Sequence, residues 1–316
     1  MRICLIVLLI GAYPSFGQNV LIKMDGQTQP YKKIKFQEEY VEIVVEGSKE
    51  KIKIGEDKVV AYYDNDLRTI FYKKPIVPDL EEQFKILPDK RRKKAFEYLE
   101  REEVGAVNIY IRIESSGSPG TMGASGVMTA GTNTTTTYYY AEKGDVYKNI
   151  YVSGLLVERG KRLESLRPFI ADDPEILKKL EDEDFRLNEK NILGIIREYN
   201  VRNFRKVPSV EYKTVSNASF YTRVRQKIRE KLTVSVNDSL QWNLPASGLP
   251  LPAALPNNVP SKVCVSWEGG SYCTTIAPCP YAVQYYELDY SAGDKSFEIR
   301  KRTLNEFKNY MVMVLK

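Results

Sequence analysis

The chain has no histidine in its 316 residues. Histidine is the commonest general base and metal ligand near neutral pH. Its absence excludes a Ser-His-Asp triad, a Cys-His dyad, a histidine-ligated metal and a histidine-held haem. Cysteine is scarce at four residues and tryptophan at two. Charge of neither sign dominates, since 47 Lys and Arg stand against 41 Asp and Glu. No apolar run reaches the ~20 residues that a membrane-spanning helix needs. What remains is ordinary globular composition, 43% hydrophobic and 28% charged, with length for two or three domains.

Residues 1–17 read as a secretory signal peptide. Arg2 supplies the positive start, Ile3–Ala12 is apolar, and Ser15-Phe16-Gly17 places small residues before a cut at Gln18. The apolar run is too short for a retained anchor, and Cys4 lies too early for a lipid-modified cysteine. The charged runs Lys90–Lys94 and Glu181–Asp184 interrupt the alternation that a membrane barrel needs. The expected destination is export to the periplasm or outer membrane, or to the extracellular side. Three cysteines then remain, which suggests one disulfide and one free thiol. A turn at Glu268-Gly269 sets Cys264 opposite Cys273 and permits a bridge. A turn at Gly269-Gly270 sets Cys264 opposite Thr275 and forbids it. Cys264 and Cys273 are the disulfide candidates, which leaves Cys279. Three sulfurs without histidine or a Cys-x-x-Cys pair argue against zinc.

The pattern predicts an α+β, mostly β chain. Residues 18–75 form a small β domain, with strands at Val20–Met24, Tyr31–Phe36, Tyr40–Val45, Lys51–Ile54, Val59–Tyr63 and Thr69–Lys73. So many short strands suggest a curled sheet or barrel. Pro75-Ile76-Val77-Pro78 reads as a stiff linker. Residues 79–200 form a mixed domain, in which residues 90–103 suit helix or strand equally. Asn108–Ile113 alternates as a strand, and Tyr138–Tyr140 pairs with Tyr147–Val152 across a Lys143-Gly144-Asp145 turn. Ser115–Thr137 is a low-complexity, flexible insert. Asp173-Pro174 starts one helix, and a second runs from about Glu189 to Tyr199. Residues 208–316 read as a β-sandwich. Its Pro245–Pro260 stretch, with five prolines, cannot be a central strand. Thr303–Tyr310 reads as a short helix before an apolar run, Met311–Leu315.

Motifs that could carry chemistry fall short. Ser48-Lys49-Glu50-Lys51 fits Ser-x-x-Lys but lies between strands, with no Ser-Asp-Asn or Lys-Thr-Gly after it. Gly154–Lys161 misses phosphate-loop spacing, and Arg162 stands where Ser or Thr must bind magnesium. Asp64-Asn65-Asp66 reads as a turn and Glu181–Asp184 as a solvated face. The Lys90–Lys94 run is offset by Glu97, Glu100, Glu102 and Glu103. The 22 tyrosines sit in strand patterns, where aromatics are favoured. Asp238-Ser239-Leu240 resembles a bacterial O-glycosylation acceptor.

Two stretches resemble uncharacterised exported Gram-negative envelope proteins. One is Val20–Gly26 with the strands ending near Val59–Tyr72. The other combines Phe96–Tyr110, the Tyr138 hairpin, Asp172-Asp173-Pro174-Glu175 and Ile195-Ile196-Arg197-Glu198-Tyr199-Asn200. The Ser115–Thr137 insert departs from that pattern. Asn237-Asp238, Leu244-Pro245, Lys262–Val265 and Tyr285-Tyr286 resemble the β-sandwich of the DUF2846-type envelope proteins. The resemblance implies location and fold and supplies no site. The expectation is an envelope-associated binding protein with no catalytic residue, cofactor or metal. Its partner would be an envelope protein or a glycan, with no nucleic acid. The alternative is a histidine-free hydrolase acting on glycans through paired carboxylates, favoured by a cleft holding two carboxyl groups within ~10 Å.

Overall fold

The computed structural model describes residues 18–77, 96–118, 132–204, 215–222, 232–238, 240–244, 250–256, 259–277, 279, 281–291 and 296–314. Ten strands form one antiparallel sheet. They are β1 (Asn19–Lys23), β2 (Thr28–Phe36), β3 (Tyr40–Val45), β4 (Lys51–Gly55), β5 (Val59–Asp64), β6 (Thr69–Pro75), β7 (Phe96–Glu103), β8 (Asn108–Ser118), β9 (Thr132–Lys143) and β10 (Val146–Val152). Their order is β10-β9-β8-β7-β6-β5-β1-β2-β3-β4. Neighbours in sequence are mostly neighbours in the sheet because tight turns join them. At Asp25-Gly26, the Gln27 N–H donates to Asp25 Oδ1 at 2.9 Å. At Lys143-Gly144-Asp145, Gly144 takes φ +56°, in the left-handed region that glycine enters without steric cost.

The six strands expected before Lys74 are all present, and they form an open sheet rather than a barrel. β6 continues to Pro75, which pairs with Phe96 of β7. Units 18–75 and 79–200 therefore share one sheet. The part of 90–103 that is described, Phe96–Glu103, is strand. The flexible insert expected at 115–137 needs correcting: Ser115–Ser118 and Thr132–Thr137 are strand, and Ser118 pairs with Thr132. β-branched threonines suit a pleated ladder, which overrides the loop-like composition. Residues 119–131 lie outside the described residues, as do the signal peptide and Lys90–Lys94.

Helices α1 (Arg159–Ile170), α2 (Pro174–Glu181) and α3 (Glu189–Arg202) cover one face of the β8–β10 end. Asp173 Oδ1 caps α2 by accepting the Ile176 N–H at 3.2 Å, and Asn188 caps α3 from Asn191 at 2.9 Å. Both caps satisfy donors that the first helical turn leaves free. Leu166, Phe169, Ile192, Ile195 and Ile196 pack on Ile109, Ala141 and Ile150 of the sheet. Each such side chain contributes about 1.5–3 kcal/mol of burial.

The remaining strands make a sandwich. They are β11 (Val215–Thr222), β12 (Thr233–Val236), β13 (Leu240–Asn243), β14 (Leu251–Pro256), β15 (Ser261–Trp267), β16 (Gly270–Ile276), β17 (Gln284–Ser291) and β18 (Ser296–Arg302). One sheet runs β14-β11-β17-β18 and the other β13-β12-β15-β16. Phe220, Leu255, Leu288 and Phe297 of the first meet Val234, Val263 and Val265 of the second. The proline-bearing β14 lies at an edge, as its missing N–H donors require. A last helix, α4 (Leu304–Val314), takes in most of the apolar run expected after the helix. It lays Phe307 on Tyr285 with ring centres 3.9 Å apart.

Candidate functional site

The long sheet and the sandwich meet along β6, β7, α3, β16 and β18, around a cleft of about 620 Å³. Polar contacts tie the two bodies together. The Thr275 hydroxyl donates to the Val104 carbonyl, and Lys301 Nζ reaches Thr69 Oγ1 at 3.0 Å. Arg68 donates to the Val283 carbonyl at 3.0 Å. Arg197 of α3 grips Glu103 of β7, with Nε at 2.8 Å, and its guanidinium lies 5.8 Å from the Tyr272 ring of β16.

The floor of the cleft is the charged end of β7, Glu100-Arg101-Glu102-Glu103. Arg101 pairs with Tyr110 and Glu103 with Ile109, so Glu102 is the extra residue of a β-bulge. Such a bulge bends the strand and re-aims a side chain. Glu100 accepts from the Thr69 hydroxyl at 3.2 Å and lies 3.7 Å from Lys301 Nζ. Glu103, 4% exposed, is held by Arg197. Burial pushes the Glu103 carboxyl above the usual carboxylate range, against the pull of Arg197. Of the other cleft glutamates, Glu189 accepts from the Tyr139 hydroxyl at 2.8 Å and Glu298 from Arg300 at 2.9 Å.

Glu102 differs from all four. No hydrogen bond or ion pair to it exists among the described residues. Its side chain is exposed to solvent at the cleft. Partial desolvation by the neighbouring protein raises its pKa, and the charges of Glu103 and Glu100 add to the rise. Lys301 and Arg197 act the other way.

Comparison with family models, curated proteins and solved structures returned nothing in any of the three.

The residues singled out from sequence fall elsewhere. Cys264 and Cys273 pair across β15 and β16 on a Glu268-Gly269 turn, with Cα atoms 4.1 Å apart and the sulfurs at disulfide distance. Cys279 lies apart, buried with Val20, Tyr63 and Ala282. Burial pushes its thiol pKa up, so the three sulfurs do not converge. Ser48 closes the β3–β4 turn, accepting the Glu50 N–H at 2.9 Å. Gly154–Lys161 leads into α1. Asp64 caps a turn by accepting the Leu67 N–H at 2.9 Å, and Glu181 pairs with Arg167 at 2.8 Å. Tyr63, Tyr110, Tyr140, Tyr199 and Tyr221 are buried, which removes them as sugar platforms. Among the described residues no group of three or more Cys, Asp or Glu is placed to hold a metal.

Sequence reading missed the cleft. Glu100, Glu102 and Glu103 figured only as counter-charges to Lys90–Lys94. The available signal was a run of four charged residues closing a strand, which breaks alternation where a bulge would sit.

Proposed function

We propose that this is an exported, non-catalytic binding protein of the cell envelope whose ligand enters the cleft between the long sheet and the sandwich. The observation that carries this reading is the cleft itself, where charged residues of β7, α3 and β18 converge between the two bodies. A concavity lined by convergent polar groups is the usual form of a binding site. The cleft volume of about 620 Å³ falls within the range of small-ligand sites. Binding is favoured over hydrolysis because paired-carboxylate catalysis needs a second carboxylate free to act as nucleophile or base. Glu100, Glu103, Glu189 and Glu298 are each engaged by a neighbour. Export is supported by the leader-like start and by the Cys264–Cys273 pair, which suits an oxidising compartment. No helix among the described residues is long and apolar enough to cross a membrane.

The test is in-cell photo-crosslinking of the tagged full-length chain. A benzoylphenylalanine at Ala277, on the cleft wall, is compared with one at Lys53, on the outer face of β4. The expected result is a recurrent adduct from Ala277 and none from Lys53. Equal labelling from both positions, or none from Ala277, contradicts the reading.

A further inference from the structure

We propose that one end of the cleft binds a carboxylate group, held by the Arg101 guanidinium and the Gln284 side-chain amide. This rests on the cleft-binding reading above and names the chemistry of its ligand.

Most cations of the cleft already have an acidic partner. Arg197 holds Glu103, and Lys301 lies 3.7 Å from Glu100. Arg300 pairs with Asp289 at 3.0 Å and Glu298 at 2.9 Å, and Arg302 with Glu287 at 2.7 Å. Lys190 has no ion pair among the described residues, but it is exposed on α3. Arg101 differs from all of these. It is half-buried, and no carboxylate pairs with it among the described residues. Its guanidinium lies 4.5 Å from the Tyr72 ring centre, and Nη2 donates to the Tyr72 hydroxyl at 3.0 Å. Its Nε is buried and bonds nothing. The cations that act most on Glu102 are Lys301 and Arg197, so Arg101 is not its counter-charge.

A second unanswered donor stands at the same end. Gln284 is 6% exposed and lines the cleft. Its Oε1 accepts the Tyr286 hydroxyl at 2.6 Å, while its amide nitrogen bonds nothing among the described residues. Cys279 joins the two groups, since its sulfur acts on both the Tyr72 and the Tyr286 hydroxyls, and Arg101 acts on Tyr72 as well. The charges that act most on Cys279 are those of Lys301 and Arg68, both positive.

A cationic ligand would meet Arg101 with like charge. A neutral one would leave the guanidinium charge unanswered. A phosphate dianion would bring excess negative charge beside Glu100, Glu102, Glu103, Glu189 and Glu298. A carboxylate carries the single charge required, and its hydrogen bonds to a guanidinium are about twice as strong as neutral ones. Ile70, Ile276 and Ala277 offer apolar surface to a short stem. The carboxylate belongs either to a small free acid or to the C-terminus of a peptide chain.

NMR titration of the full chain separates these sources. The probes are butyrate, acetyl-Ala-Ala-Ala with a free carboxylate, and the same peptide as its C-terminal amide. The Arg101 Nε–H signal reports the contact, and the Ala277 backbone amide gives the affinity. The expected result is binding of butyrate or the acid peptide, with a shift at Arg101, and none of the amide. Butyrate alone assigns the site to a free acid, and the acid peptide alone to a chain terminus. Arg101→Gln should weaken binding at least tenfold. Gln284→Glu keeps an oxygen for the Tyr286 hydroxyl but replaces the free donor with a repelling carboxylate, so it too should weaken binding at least tenfold. It decides the matter if Arg101→Gln fails to fold. Lys53→Gln, on the exposed side of β4, should leave affinity within twofold. Equal binding of the amide, or unchanged affinity in either folded cleft variant, overturns the carboxylate assignment. So does failure of both acids to bind. If the Ala277 adduct persists in that case, the cleft reading stands and only the ligand class falls. If the adduct is absent too, both fall.

Discussion

Asn200 is fully buried, and its amide engages one residue twice. Oδ1 accepts the Val107 N–H and Nδ2 donates to the Val107 carbonyl, both at 2.8 Å. This locks the β7–β8 turn under the C-terminal half of α3, directly after the bulge. Asn200→Ala would leave both Val107 groups buried and unpaired, a loss of about 3 kcal/mol in urea unfolding. Gly105 belongs to the same lock, since a Cβ there would stand 2.5 Å from Asn200 Cγ. Arg197→Ala strands the buried Glu103 carboxylate and should cost about 3 kcal/mol by the same measurement. Glu102→Gln should behave in the opposite way. A carboxyl with a raised folded-state pKa destabilises the folded state once pH exceeds that value, and favours it below the unfolded value. Thermal melts should show the variant slightly more stable than the parent at neutral pH. The gain should shrink as pH falls through the Glu102 pKa. Asp173 and its helix were legible in the sequence because a cap is a local pattern. Glu102 was not, because its isolation depends on where Arg197 and Lys301 come to lie.

At the scale of elements, α4 shows a local signal read in full by the structure. Thr303 Oγ1 accepts the Glu306 N–H at 3.2 Å, and Glu306 Oε2 accepts the Thr303 N–H at 2.8 Å. This reciprocal box starts the helix, and Thr303→Ala should cost about 1 kcal/mol of stability. The backbone N–H of Thr303 holds the Glu306 carboxyl below its ordinary range, and the Lys143 ammonium does the same for Asp172. Their contribution is present above the ordinary carboxylate range and lost as pH falls through the lowered values. Acid unfolding should follow that loss. Helix α1 escaped sequence reading for a physical reason: it has no side-chain cap, and Gly160 and Pro168 lie inside it. It holds because Leu166, Phe169 and Ile170 bury on one side. The Cys264–Cys273 pair was legible as one of two hairpin registers, and the Glu268-Gly269 turn decides it. Its reduction should lower stability by about 2–3 kcal/mol on a loop-entropy basis.

At the scale of the molecule, the strands were legible and their joining was not. Each strand between Asn19 and Lys74 reads from short-range alternation. That β6 pairs with β7 across residues outside any local window depends on the whole sheet. β11 and β14 were missed likewise, since β11 lies parallel to β17 and β14 is rich in proline. The cleft exists only because two separately built bodies meet at α3 and β16. Arg197, Tyr199 and Asn200 tie α3 to its own body beside that junction. Tyr199 binds Lys143 at 2.7 Å and Asp172 at 3.0 Å, while Arg197 and Asn200 fix β7 and its turn. This rigidity holds the bulge that presents Glu102.

The central claim is that the cleft between the long sheet and the sandwich is a ligand site. Photo-crosslinking from Ala277 in the full-length chain tests it most directly. The account predicts a recurrent adduct at Ala277 and none at Lys53. Equal labelling from both positions, or none from Ala277, would contradict it.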